Sequence, residues 1–480
     1  MNSEEQQSMK LIEYFLQNPG DLDKLSRQDC KDVLRLASMT AEGTKEESII
    51  GRCYDLLYEC CFHMDLDIRE LWNIYWILTG RLFDNARIPF NGQMDKLYRL
   101  VFLKVKEALP NTHAPYESTS SNLIIITTNQ FLGGINHAPT RRVLDYAYAM
   151  IMGLGKAVMI VNSAGLNYYK CHCIKDGSSY NYDEDLNKIK QINYKEVNIP
   201  FMQIDAKMPD LYCIKEALDD IYDLRPELVY DIGGANFICD LCSEFVKTCS
   251  FPCSTNIPIT MSRYLLVGRK LRDSDSERLS RLEDYQQTIE TVVNYQLPKF
   301  DENIYKRSDY NLSDSDFVFG IVGNRLDYEI SDSFIELMNQ LLLDLDAHFL
   351  IIGTLLNTGG ILERVSMPER IHIAGSIPDA VNAVRLFDVY LNPYRNGGGR
   401  SSFEALAQGV PVITFAYGDV YHTCGDEFVV EDDGEFLETA SRYMTDCGYR
   451  EEQKLRGLKR AERLSNIALT QKEVLDKILR

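Results

Sequence analysis

The chain has 480 residues, too many for one hydrophobic core, so two or three domains are expected. Its 71 Asp plus Glu against 51 Lys plus Arg leave a net charge of −20, and so acidic a surface repels phosphate backbones and argues against a nucleic-acid partner. The 13 cysteines, odd in number and with Cys60 beside Cys61, fit a reducing cytoplasm better than a secreted disulfide scaffold. The opening MNSEEQQSMK is acidic and polar, unlike a secretory signal. No apolar run reaches the roughly 18 residues of a membrane span, so a cytoplasmic protein is expected.

Residues 1–115 read as an all-helical domain. Met9, Leu11, Ile12, Phe15 and Leu16 form one apolar stripe, Val33, Leu34, Leu36 and Ala37 a second, and Leu97, Val101, Phe102, Val105 and Leu109 a last. Turn signals separate them at Asn18-Pro19-Gly20 and Pro89-Phe90-Asn91-Gly92. No fixed-period repeat is present. The helices serve either as an appendage packed on the body or as a platform for an acceptor protein.

Residues 116–300 change rhythm after a polar linker at 110–121. LIIITT from Leu123 is a buried-strand run, Thr140 to Leu154 is an amphipathic helix closed by Gly155, and Lys156 to Val161 is the next strand. This βαβ order predicts a parallel sheet with ligands at the strand C-termini. The loop QFLGGINHAPT, with Gly133, Gly134, Asn136 and His137, falls at such an end. So does Gly233-Gly234-Ala235-Asn236 after the strand ending in Asp231 and Ile232. Residues 296–315 are polar and read as an interdomain linker.

Residues 301–450 repeat the alternation: FVFGIVGNRL from Phe317, a helix from Ile330 to Leu343, strands at His348 to Ile352 and Arg370 to Ala374, and a short helix from Asp379 to Phe387. Asp388 to Thr414, DVYLNPYRNGGGRSSFEALAQGVPVIT, then reads as strand, glycine loop, helix and strand. Ser401 or Ser402 can cap the helix start, and Gly409 and Pro411 end it. A helix N-terminus behind a loop without side-chain bulk is an anion site, and Arg400 adds a guanidinium beside it. Residues 451–480 are helical and basic.

The order of elements over residues 120–450 resembles the GT-B glycosyltransferases, and the Asp388–Thr414 stretch is similar to their donor-binding motif. The fold this implies is α/β, with two Rossmann-like doubly wound domains facing a cleft and an N-terminal all-helical domain. In that family the C-terminal domain binds a nucleotide-sugar donor and the N-terminal one the acceptor. No metal or other cofactor is needed, since basic groups and a helix N-terminus stabilise the departing diphosphate. The resemblance to glycosyltransferase group 1 assigns Glu404 to the donor ribose, as the second glutamate of an E-x7-E pattern. Its first position holds Asn396, a departure from the retaining enzymes. In this loop the chain resembles the protein O-GlcNAc transferases and the adhesin N-glucosyltransferases, which are inverting; the latter also carry helical N-terminal domains.

The resemblance places the diphosphate on Gly397, Gly398, Gly399, Arg400, Ser401 and Ser402, with Arg325 as a further phosphate ligand and Asn396 in the same donor site. Read without it, Arg325 makes a surface salt bridge and Glu404 is a helix-surface carboxylate. His137 is a candidate general base toward the acceptor, or else a helix cap; Asp231 is the second candidate base, or else a turn cap. Cys239, Cys242, Cys249 and Cys253 read as buried thiols rather than a zinc site, and Cys171-His172-Cys173 alternates in a way that cannot close a tetrahedron. The expected activity is hexosyl or N-acetylhexosaminyl transfer from a nucleoside diphosphate sugar, most simply a UDP-sugar, to a protein or glycan. The alternatives are a catalytically silent GT-B partner of an active transferase and a nucleotide-sugar 2-epimerase.

Overall fold

The computed structural model describes residues 3–44, 46–85, 88, 92–109, 113–116, 121–133, 137–171, 174, 182–297, 299–301 and 305–480. Gly134, Asn136, His172, Cys173, the Pro89–Asn91 turn and much of the 110–121 linker lie outside them. Contacts group the chain into two units. One comprises residues 1–82, 87–291 and 471–480, the other residues 83–86 and 292–470.

In the first unit five helices come first: α1 (Ser3–Gln17), α2 (Arg27–Glu42), α3 (Glu47–His63), α4 (Ile68–Asp84) and α5 (Gly92–Ala108). Then follow β1 (Leu123–Thr128), α6 (Ala138–Leu154), β2 (Ala157–Asn162), β3 (Gln191–Tyr194), β4 (Val197–Gln203), α7 (Leu211–Leu224), β5 (Leu228–Gly233), α8 (Phe237–Cys242), β6 (Thr248–Pro252), β7 (Tyr264–Val267), α9 (Ser276–Leu279) and β8 (Gln287–Glu290). The sheet order is β3-β4-β2-β1-β5-β6-β7-β8. Its pairs are parallel except for the β3–β4 edge hairpin. Strands β1, β5 and β6 are buried almost throughout, which explains their unbroken apolar runs.

The helices and the sheet of this unit share one core, running from Ile12 through Trp72 and Tyr98 to Val229 and Phe237. Trp72 lies 4.2 Å from the Phe237 ring, and its Nε1 donates to the Gly165 carbonyl at 3.0 Å. Tyr98 on α5 donates its hydroxyl to Asp240 on α8 at 2.5 Å. Asp240 is fully buried. It also accepts from the Met261 N–H at 2.9 Å, from the Ser262 hydroxyl at 2.7 Å and from the Thr260 hydroxyl. Burial pushes its pKa up, and these donors pull the other way.

The second unit continues with β9 (Phe317–Gly323), α10 (Leu326–Glu329), α11 (Asp332–Asp344), β10 (Ala347–Gly353), α12 (Thr358–Leu362), β11 (Ile371–Gly375), α13 (Ala380–Ala383), β12 (Val389–Leu391), α14 (Gly399–Ala407), β13 (Val412–Phe415), α15 (Gly418–Cys424), β14 (Val429–Val430), α16 (Asp433–Thr445) and α17 (Cys447–Leu464). The last helix, α18 (Ile467–Leu479), returns the chain to the first unit. The sheet order is β11-β10-β9-β12-β13-β14, with every pair parallel. Gly353 sits at φ +124°, and a Cβ there would lie 1.8 Å from the Gly323 carbonyl oxygen, so only glycine fits where β9 and β10 end. The stretch 296–315, expected as a linker, belongs to this unit. Arg307 ties it down by donating to the carbonyls of Leu386, Asp314 and Asp316 and to the Asp388 carboxylate.

Among the described residues no helix is long and apolar enough to cross a membrane. The first unit yields a direct test of its shared core. Tyr98→Phe removes one of the four donors to Asp240 and should destabilise the protein by about 1–3 kcal/mol. A urea midpoint equal to that of the native chain would mean that the bond contributes nothing.

Candidate functional site

The order of the parallel strands reverses between β1 and β5 in the first unit and between β9 and β12 in the second. Loops at the C-terminal ends of such strands diverge and leave a crevice for a ligand. In the second unit the flanking loops are Asn324-Arg325 after β9 and Asn392–Gly398 after β12.

The glycine loop leads straight into α14, whose first residue is Gly399 and whose cap is Gly398 at φ +94°. Neither serine caps it, contrary to the sequence reading. Ser401 and Ser402 stand inside the first turn, and their hydroxyls donate back to the carbonyls of Gly398 at 3.0 Å and Gly399 at 2.9 Å. No side chain caps this helix, and a helix N-terminus of this kind favours an anion. The left-handed cap demands glycine. Gly399 is fixed by crowding, because a Cβ there would lie 2.6 Å from the Tyr295 hydroxyl and 2.8 Å from Thr423 Oγ1.

Beneath the loop lies Arg395, buried and not singled out by the sequence. It donates from Nε to Asn392 Oδ1 at 2.8 Å and from Nη1 to the Val322 carbonyl at 2.9 Å and Glu329 Oε2 at 2.6 Å. Nη2 donates to the Tyr390 hydroxyl at 2.6 Å. Burial works against its charge, but Tyr390 and Glu329 outweigh burial and hold the pKa above the ordinary arginine value. The Tyr390 hydroxyl also meets Ser401 Oγ at 2.9 Å, which ties β12 to α14. Only the arginine immediately before Asn396 in YRNGGGRSS hinted at this anchor.

Glu329 is shared. Its other oxygen, Oε1, lies 3.5 Å from Nη2 of Arg325. Arg325 stands over the Phe83 ring at 4.2 Å, with Nε 3.3 Å from Asp84 Oδ1. Gly397 is adjacent: a Cβ there would come within 3.3 Å of Arg325 Nη2 and 3.4 Å of Phe83 Cζ. Arg325 and the loop are therefore brought together. Arg400 and Glu404, expected to hold diphosphate and ribose separately, pair with each other on α14 at 3.1 Å.

Asn396 uses both ends of its amide. Nδ2 donates to the Phe83 carbonyl at 2.9 Å, and Oδ1 accepts from the Tyr417 hydroxyl at 2.6 Å. A glutamate here would turn a carboxylate oxygen toward that carbonyl, two acceptors without a proton between them. The departure from the E-x7-E pattern thus has a local cause, and Asn396 holds the loop in shape.

In the first unit, His137 caps α6. Its Nδ1 lies 2.8 Å from Thr140 Oγ1 and 3.4 Å from the Thr140 N–H. Burial lowers its pKa to about 4, so the ring is neutral at pH 7 but a weak base. Asp231 is buried and saturated. Oδ1 accepts from Thr127 at 3.1 Å and Asn236 Nδ2 at 2.8 Å, and Oδ2 from the Gly234 N–H at 2.7 Å and Ser250 at 2.8 Å. Burial raises its pKa to about 6 despite these donors. These four donors occupy the carboxylate and shape the β5–α8 turn, in keeping with the turn-cap alternative of the sequence. Gly133 donates its N–H to Asp183 at 2.9 Å. Cys239, Cys242 and Cys249 are buried free thiols, and among the described residues no cluster of three His, Cys, Asp or Glu could hold a metal. A surface hollow of about 760 Å³ elsewhere in this unit is lined by Arg27, Arg69 and Lys104 but also by Asp67, Glu107 and Asp210, a mixture that suits no anion.

Two outcomes follow from these geometries. Arg395→Met leaves Glu329 buried with a poorer partner and should cost about 3 kcal/mol or more in urea denaturation, whereas Arg395→Met with Glu329→Leu should cost much less. Equal losses would remove the ion pair as the cause. His137 has a depressed folded pKa, so the unfolded chain binds more protons between pH 6.5 and 4. Stability from this residue is present above pH 6.5 and is lost, by of order 1–3 kcal/mol, as the pH falls toward 4. His137→Asn keeps a good cap without titrating. The gap in stability between the two proteins should widen in its favour on acidification, and parallel pH profiles would contradict a neutral, half-buried His137.

The profile described as Glycosyl transferases group 1 matches residues 316–446, the segment carrying Arg325, the glycine loop and Glu404. No curated protein matches the sequence significantly. Among solved structures, an O-GlcNAc transferase variant from Thermobaculum terrenum is similar over 100% of this chain and 99% of its own, at 14% identity and a TM-score of 0.59. A sucrose-phosphate synthase from Thermosynechococcus elongatus is similar over 74% of this chain and 98% of its own, at 15% identity and a TM-score of 0.52. With two Rossmann-like sheets and an N-terminal helical region, the chain has the GT-B fold, and its residues 316–446 match the model of the glycosyl transferases group 1.

Proposed function

We propose that the protein transfers a hexosyl or N-acetylhexosaminyl group from a nucleoside diphosphate sugar, a UDP-sugar in the first instance, to a protein or glycan acceptor. The observation that carries this reading is a helix N-terminus without a side-chain cap, following the Gly397–Gly399 loop, beside Arg325 at the strand-order reversal of the second unit. Phosphate oxygens accept from such N–H groups, and the guanidinium adds charge where the leaving diphosphate develops it. Arg325 and Arg400 share that charge, so the step is proposed to run without a metal. Glu404 holds the ribose once Arg400 turns to phosphate. His137, neutral at pH 7 and a weak base, is proposed to orient the acceptor.

One observation favours a second reading, a catalytically silent GT-B partner. Each arginine around the loop already has a carboxylate: Arg325 has Asp84 and Glu329, Arg395 has Glu329, and Arg400 has Glu404. Calorimetric titration with UDP and GDP separates the two readings. Transfer predicts UDP binding, a loss of about 10- to 150-fold in affinity for Arg325→Gln or Arg400→Ala, and release of UDP from the sugar donor once an acceptor is supplied. Absence of any diphosphate binding would sink the transferase and leave the silent partner.

A further inference from the structure

The second unit contains a carboxylate that neither the family motif nor the donor loop supplies. Phe83 and Asp84, the last residues of α4, belong to this unit rather than to the helices before them. We propose that Asp84 is a counter-ion to Arg325 that an incoming diphosphate displaces, an inference that rests on the donor-site reading above.

Three features point to displacement rather than to a permanent pair. The first is geometry. Arg325 meets Asp84 at 3.3 Å and Glu329 at 3.5 Å, longer than the 2.6 Å of Arg395 to Glu329. It is also longer than the roughly 2.7–2.9 Å of a strong charge-assisted hydrogen bond. The second is access. Arg325 and Asp84 are 36% and 40% exposed, whereas the Arg395 side chain is 3% exposed and fully engaged, so Arg325 is the guanidinium that can exchange partners. The third is position. Gly397 puts bare backbone beside Arg325 Nη2, so an anion seated on the loop comes within reach of that edge.

Asp84 itself is not needed to hold the end of α4 in place. The Phe83 carbonyl accepts from Asn396, and the Phe83 ring supports Arg325 from below. Partial burial raises the Asp84 pKa while Arg325 pulls it down. In the free protein the carboxylate neutralises Arg325. A diphosphate, carrying more charge and more acceptor oxygens, takes the guanidinium over, and Asp84 turns to solvent. The same carboxylate repels any anion that binds without displacing it, which disfavours weakly charged competitors.

The test is calorimetric titration of UDP into the native protein, Asp84→Asn, Arg325→Gln and the double variant, at low and moderate salt. Asp84→Asn should bind UDP about three- to tenfold tighter, with the gain shrinking as salt rises. Asp84→Asn should gain clearly less affinity in the Arg325→Gln background than in the native one, because the competition for Arg325 is gone and only the repulsion of the anion remains; an equal gain in both backgrounds would overturn the counter-ion role. If the native protein binds UDP and Asp84→Asn binds it equally or more weakly, the counter-ion role is wrong and the donor site stands. If neither protein binds UDP, the donor-site reading itself fails and takes this inference with it. Thermal melts of the free proteins, expected within a few degrees of one another, exclude misfolding as the cause of either result.

Discussion

The second unit depends on one charge kept away from water. Arg395 lies beneath the glycine loop, and its donors fix four acceptors at once: the Asn392 side chain, the Val322 carbonyl, Glu329 and the Tyr390 hydroxyl. Those acceptors belong to the ends of β9 and β12, to α10 and to the loop itself. A buried guanidinium tolerates few geometries, since each missing partner leaves a desolvated donor. The loop therefore takes its shape from below, while its upper face stays bare backbone. Preorganisation of this kind is what electrostatic stabilisation of a leaving group requires.

The first unit uses the opposite sign for the same purpose. Asp231 and Asp240 are buried carboxylates, each surrounded by four donors, and they fix the two ends of the short β5–α8 segment. Asp231 shapes the turn at the strand-order reversal. Asp240 gathers the Thr260–Ser262 loop and the Tyr98 hydroxyl. In both units the crevice is surrounded by buried polar hubs whose lone pairs or protons are spent on the protein. The groups left for a ligand are backbone N–H groups and partly exposed side chains.

Much of the fold could be read from the sequence because its signals are local. LIIITT, KAVMIV, ELVYDI and FVFGIV are apolar runs that only strands covered on both faces sustain, and Gly155 and Gly409 mark helix ends. The glycine loop was equally visible, since NGGG before an amphipathic stretch has few other uses. What stayed hidden were partners distant in sequence. Nothing near position 329 announces that Glu329 divides its carboxylate between Arg325 and Arg395. Nothing near position 84 announces an ion pair with a residue 241 positions further on. Asp231 was ambiguous for a related reason. An aspartate at a strand end has the same local pattern whether its oxygens face a crevice or a ring of donors, and only the packing of Thr127, Asn236 and Ser250 decides.

The junction of α5 with α8 bears on how the chain acquires its structure. Trp72 and Tyr98 lie in one apolar cluster with Phe237, and Tyr98 completes the donors of a carboxylate beneath the sheet. A chain emerging from the ribosome can form the five helices first, but their apolar stripes have no finished counterpart until β5 and α8 follow, more than a hundred residues later. The boundary that composition draws near residue 115 is then a change of architecture and not a seam. Helices and sheet should be lost in a single transition on unfolding, and the helical segment on its own would be an unfinished core seeking a surface to cover it.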